Sequence, residues 1–104
     1  MLDKTTVREI AFKYAEEVKK VLNPVKIILF GSYVNGTPWE YSDIDIAVVM
    51  NGYQGNKLKT AAMLCSLTRQ VSFDIEPHLL DETRDRSGFL EFVKKTGEVI
   101  YEVV

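Results

Sequence analysis

The sequence predicts a small α/β domain with a mixed sheet, on three observations. Helical and extended segments alternate along the chain in the order α-β-β-α-β-α. Two short apolar runs rich in β-branched residues, 25–30 and 43–50, are flanked by the proline, glycine and asparagine that punctuate strands. The chain has 104 residues, 46% of them hydrophobic, which is enough for one core. At this length a folded chain buries roughly 60–70% of the surface it exposes when unfolded, without help from disulfides or a structural metal. The expected organisation is one domain over residues 1–104.

Residues 6–22 carry Val7, Ile10, Tyr14, Val18 and Val21 at steps of three and four, the spacing of one helix face. Thr6 with Glu9 fits a capping box, and Asn23-Pro24 stops the helix. Residues 25–30 are apolar apart from Lys26 and read as a strand. Residues 31–42 (GSYVNGTPWEYS) form a loop with a short turn of helix after Gly31. Residues 43–50 (DIDIAVVM) alternate and then become wholly apolar, as a buried strand does, and 51–56 make a turn. A second helix spans 57–69, with Leu58, Ala61, Ala62 and Cys65 on one side and Cys65 filling core. In 71–76, Val71, Phe73 and Ile75 alternate with Ser72, Asp74 and Glu76, giving a third strand that Pro77 ends. Residues 87–96 form a third helix with Ser87 as N-cap and Gly97 as its terminal glycine. The tail EVIYEVV suits an edge strand.

Charge and cysteine content narrow the function. Lys and Arg number 13 and Asp and Glu 15, for a formal net charge of -2, whereas dedicated nucleic-acid-binding domains are usually basic. One cysteine allows no intrachain disulfide, and one cysteine with one histidine excludes a Cys/His zinc site. Neither a signal peptide nor a membrane-spanning run is present, so a soluble cytoplasmic protein is expected.

The informative residues are Asp43 and Asp45. Aspartate is depleted in strands, yet two open an otherwise apolar one. Residues two apart on a strand share a face, so both carboxylates point the same way while Ile44, Ile46 and Val48 point oppositely. Paired carboxylates repel unless a cation lies between them, and a hard divalent ion such as Mg²⁺ with oxygen ligands resolves that repulsion. Upstream, Gly31-Ser32 directly follows a strand. Backbone N–H groups at such a turn, with the serine hydroxyl, hold phosphate oxygens. GSYVNG lacks the Lys-Ser or Lys-Thr of a Walker A loop, and Gly-x-Gly-x-x-Gly is absent. Asp74 and Glu76 offer a further carboxylate on the third strand, which would complete a site for two metals roughly 3.5–4 Å apart.

Gly31-Ser32, ten residues, then Asp43-Ile44-Asp45 has the GS-x10-D-x-D form of the DNA-polymerase-beta-like nucleotidyltransferases. The string GSYVNGTPWEYSDIDIAVV resembles the minimal nucleotidyltransferases, many of them the antitoxin of HEPN/MNT toxin–antitoxin pairs. The resemblance implies the polymerase-beta palm, a small mixed sheet packed by about three helices. It implies transfer of a nucleoside monophosphate, AMP from ATP, to a hydroxyl acceptor with Mg²⁺ in a two-metal site. Gly31, Ser32 and Ser42 fall among its nucleotide-binding positions, and Asp43 and Asp45 on its metal ligands. Its third carboxylate falls on Asp74 or Glu76: the segment FDIEPHLL is similar to a subgroup written around Ile-Glu-Pro-His, which favours Glu76, whereas an apolar-Asp-apolar pattern favours Asp74. Where the family often carries arginine this chain has Val34 and Asn35, so a basic contact to the triphosphate is either missing or supplied elsewhere, for example by Lys57 or Arg84.

The resemblance also implies a protein partner, a HEPN-domain toxin, because a palm of this size leaves no segment to recognise a substrate. Two alternatives stand beside it: a non-catalytic nucleotide-binding antitoxin that acts by occlusion, and adenylylation of a small molecule such as an aminoglycoside. Neither a membrane nor a nucleic acid is an expected partner, and self-association is left open. Trp39 and Tyr41 suit either stacking on a base or packing within their loop. His78, after Pro77, reads as a loop or packing residue.

Overall fold

The structure, a computed structural model, describes residues 2–36 and 43–103. Its elements are α1 (Lys4–Lys19), β1 (Lys26–Phe30), α2 (Ser32–Asn35), β2 (Ile44–Met50), α3 (Lys57–Thr68), β3 (Ile75–Asp81), α4 (Phe89–Thr96) and β4 (Glu98–Glu102). The strands form one mixed sheet in the order β3-β2-β1-β4. β1 runs antiparallel to β2 and β4, and β2 runs parallel to β3. Parallel neighbours need a long crossover, and α3 supplies it. The mixed α/β architecture is the one the sequence predicts, with the tail as edge strand β4 and the turn after Gly31 as α2.

Alternation within the strands divides the core in two. Ile27, Leu29, Ile44, Ile46 and Val48 pack against Val7, Tyr14 and Val18 of α1 and Leu64 of α3. Ile28, Phe30, Ala47 and Val49 face the other way, onto Leu90 and Val93 of α4. Burial on both faces is why β1 and β2 read as nearly continuous apolar runs.

The helices depart from expectation in instructive ways. α1 starts earlier than residue 6 because Asp3, not Thr6, caps it: the Asp3 carboxylate accepts the Thr6 N–H at 2.7 Å. The helix ends at Lys19, which leaves Val21 exposed. α3 turns a different side inward from the one expected. Thr60, Leu64 and Thr68 are buried, whereas Leu58 is 85% exposed and Cys65 lies on the surface rather than in the core. Two hydrogen bonds hold that rotation. Tyr14 donates its hydroxyl to the Leu64 carbonyl at 2.7 Å, and the Tyr53 and Thr60 hydroxyls pair at 2.6 Å. Burial pushes the Tyr14 phenol well above its ordinary pKa.

β3 is the largest correction. It begins at Ile75 and runs through Pro77 to Asp81, rather than ending at Pro77. β3 is an edge strand, and proline is tolerated where one side of the strand has no neighbour to receive an N–H. Residues 71–74 precede the strand, and Phe73 is 82% exposed.

α4 is capped by a residue other than Ser87. Gly88 stands at the N-cap without a side chain, and the Asp85 carboxylate accepts the N–H groups of Leu90 (3.0 Å) and Glu91 (3.1 Å). Asp85→Ala is therefore expected to cost about 1 kcal/mol, a fall of roughly 4–8 °C in Tm. Ser87→Ala, whose hydroxyl accepts only the Phe89 N–H at 3.3 Å, should change Tm far less. Thermal unfolding followed by circular dichroism measures both. No helix among the described residues is long and apolar enough to cross a membrane.

Candidate functional site

The site lies where β1 ends and β2 and β3 begin. Gly31 leaves β1 with φ 87° and ψ −157°, a conformation that side chains other than hydrogen rarely adopt. Its carbonyl accepts the N–H groups of Val34 (3.1 Å) and Asn35 (3.0 Å), which closes the turn into α2. A Cβ on Gly31 would overlap the carboxylate of Asp45. The glycine therefore serves two ends: it permits the backbone turn, and it lets the loop approach the carboxylate.

The pairing of β2 with its neighbours sets the rest. Asp45 stands opposite Phe30 of β1 and Glu76 of β3, and Ala47 stands opposite His78. Asp45, Glu76 and His78 thus project on the face that carries Phe30 and α4, away from Ile44 and Ile75, which are buried under α1 and α3. One donor atom from each of Asp45, Glu76 and His78 lies within 4.8 Å of the others. His78 Nε2 and Asp45 Oδ1 lie at hydrogen-bond distance, 3.1 Å, and both side chains are about three-quarters buried. Phe30 and Phe89 pack against the imidazole, with ring centroids 5.1 and 6.1 Å away, and edge-on against each other at 5.7 Å.

Electrostatics mark the cluster as crowded with negative charge. The Glu76 carboxyl is raised above its ordinary pKa, first by desolvation and next by a hydrogen bond with Asp43, with the charges of Asp45 and Asp43 adding to both. His78 opposes this only in part. Asp43 itself is exposed, at the entry to β2. Carboxylates that disfavour one another's ionisation suit a divalent cation: the donors are mainly hard oxygens, and the ion would remove the repulsion.

Of the carboxylates the sequence singled out, the structure brings Asp43, Asp45 and Glu76 together. Asp74 stands apart from this cluster. It precedes β3, its side chain is exposed, and its carbonyl is used to accept the Ile44 N–H at 2.8 Å. His78, expected as a loop or packing residue, sits on β3 and bonds Asp45. Its position is encoded, since it shares strand parity with Glu76, but only if Pro77 continues the strand. Lys57 and Arg84 do not reach the cluster. They line a cavity with Met50 and Asp81 at the far ends of β2 and β3, five residues and roughly 17 Å along the strands from Asp45 and Glu76. Ser42, Trp39 and Tyr41 lie outside the described residues.

Comparison with known proteins agrees with this geometry. A family model described as "Polymerase beta, Nucleotidyltransferase" matches residues 13–103. A candidate nucleotidyltransferase from Sulfolobus solfataricus superposes with a TM-score of 0.67 at 24% identity, covering 92% of this chain and 80% of that one. A mutant of the MntA–HpeT toxin–antitoxin complex gives 0.60 at 23% identity, covering 88% and 72%. A toxin–antitoxin structure with AMP-PNP gives 0.60 at 25% identity, covering 92% and 73%. Identities this low speak to the fold. No curated protein matches the chain.

Proposed function

Since the chain belongs to the polymerase beta nucleotidyltransferase family, we propose that it moves AMP from ATP to a hydroxyl on a protein partner, a HEPN-domain toxin, and so acts as an antitoxin. The observation that carries this is the β2–β3 register, which sets Glu76 directly beside Asp45 at the Gly31 turn. Two structurally similar proteins are toxin–antitoxin complexes, one of them with an ATP analogue, and this supports both the nucleotide and the class of partner.

Each residue has a task. The N–H groups after Gly31 and the Ser32 hydroxyl hold the β- and γ-phosphates, as donors in a turn do. Asp43, Asp45 and Glu76 would hold divalent metal, Mg²⁺ in the first instance, and it would offset charge on the triphosphate and on departing pyrophosphate. Glu76 accepts the proton of the acceptor hydroxyl, a role open to a carboxylate placed beside Asp45 on the neighbouring strand. The hydroxyl oxygen then bonds to the α-phosphorus as the bond to pyrophosphate breaks. Phe30 and Phe89 hold His78 and, through it, the orientation of Asp45.

The test is incubation with α-labelled ATP, Mg²⁺ and the co-purifying partner. Label is expected on the partner, and none with Asp43→Asn combined with Asp45→Asn. Absence of transfer by the parent chain, or undiminished transfer by the double variant, would sink the catalytic reading. Neutralisation of the partner without transfer would leave occlusion in its place.

A further inference from the structure

Metal binding by carboxylates alone does not account for His78. Its Nε2 lies 3.1 Å from Asp45 Oδ1, and the donor atoms of Asp45, Glu76 and His78 all fall within 4.8 Å of one another. That is the spacing of ligands around one ion. Donors about 2.1–2.2 Å from a metal stand roughly 3 Å apart when adjacent and roughly 4.4 Å apart when opposite. The imidazole is also fixed before any ion arrives. Phe30 and Phe89 pack against the ring and β3 holds its backbone, so that Nε2 faces the carboxylates. Packing against the two phenyl rings needs no nitrogen, and the nitrogen that bonds Asp45 also lies within 4.8 Å of a Glu76 carboxylate oxygen.

We infer that His78 is a side-chain ligand of the ion held by Asp45 and Glu76, and that it shifts this site from Mg²⁺ toward a divalent transition metal. The chemistry is that of donor preference. Mg²⁺ takes oxygen ligands and holds its waters, whereas imidazole is a good ligand for the later divalent ions. Two carboxylates and one imidazole on adjacent strands make a mixed oxygen–nitrogen set suited to Mn²⁺, Fe²⁺ or Co²⁺. The inference rests on the proposed role of Asp45 and Glu76 as metal ligands and goes beyond it in naming the third donor and the metal class.

His78 is the only histidine of the chain, so an imidazole signal from tag-free protein can come from no other residue. The experiment is pulsed EPR of the full chain with Mn²⁺ alone, with no nucleotide to supply nitrogen. Modulation from directly bound ¹⁴N is expected in the parent chain and should vanish in His78→Phe, which keeps an aromatic ring against Phe30 and Phe89. By EPR titration, His78→Phe should weaken Mn²⁺ binding by about tenfold or more. In competition with Mn²⁺, Mg²⁺ binding should weaken by less than about threefold. Bound Mn²⁺ without nitrogen modulation in the parent chain overturns the inference and leaves the carboxylate site standing, as does Mn²⁺ affinity unchanged by His78→Phe. Mn²⁺ binding unaffected by both Asp45→Asn and Glu76→Gln instead overturns the metal site on which the inference rests. Should His78→Phe fail to fold, the spectrum of the parent chain decides alone.

Discussion

Gly31→Ala is expected to damage stability and transfer together. At φ 87° and ψ −157° the backbone occupies a region that is nearly glycine's alone, and forcing a Cβ there costs about 1–3 kcal/mol. The added methyl also meets the Asp45 carboxylate, so either the turn or the aspartate must move. At roughly 4–8 °C per kcal/mol, a loss near the middle of that range lowers Tm by about 8–16 °C. Displacement of Asp45 breaks its bond to His78 and shifts the phosphate-facing turn. Misplacement by about 1 Å costs on the order of a hundredfold in rate. Thermal melts and label transfer below the melting range separate the two effects. A variant that matches its parent in both would show that the close approach of the loop to Asp45 has no consequence.

Glu76→Gln should move activity and stability in opposite directions. Removing the group that accepts the acceptor's proton is expected to lower transfer by about 10²–10⁴-fold. Without metal, the same change removes a negative charge from beside Asp43 and Asp45. The Glu76 side chain is itself exposed, so relief is screened to about half a kcal/mol, or roughly 2–4 °C in Tm at neutral pH. The pH dependence follows from the raised carboxyl pKa. The folded chain binds this proton more tightly than the unfolded chain, whose value is near 4.5. Its contribution to stability is therefore full below that value and is lost as pH rises through the higher folded value. Metal-free parent chain should lose stability over that interval, and Glu76→Gln should not. Melting curves from pH 4 to pH 7 with a chelator present measure it (pH values chosen as roughly bracketing the ordinary carboxylate range). Equal pH profiles for the two chains would remove the electrostatic account of the cluster.

Much of this site was legible because its chemistry is written locally. Gly31 closes an apolar run, and Asp43, just before β2, stands two residues from Asp45 within it, so the turn and two carboxylates follow from short-range rules. What lay beyond reach depended on contacts distant in sequence. The choice between Asp74 and Glu76 requires knowing where β3 begins, and the alternation of 71–76 pointed too early. Residues 71–74 lead out of α3, and only pairing with Ile44 fixes Ile75 as the first of the strand. Pro77 read as a terminator because its tolerance depends on β3 lying at the edge of the sheet, a fact of topology. His78 was passed over for the same reason. In α3 the stretch AAMLCSL is apolar on nearly every side, so periodicity could not choose a face. The choice came from Tyr14 and Tyr53, whose hydroxyls reach the helix from outside it.

The parallel pairing of β2 with β3 also governs when the site comes into being. Asp45 and His78 are 33 positions apart and meet only after α3 has crossed the sheet. Such non-local closure comes at an entropic cost before any contact rewards it. A nascent chain that has emerged from the ribosome only through α3 carries the Gly31 turn, Asp43 and Asp45, but neither Glu76 nor His78. On the proposed roles its metal ligands would be incomplete and its proton acceptor absent. On the proposed roles the site is therefore assembled only after β3 has been made, and a metal that needs all the ligands would bind the folded chain and stabilise it by mass action.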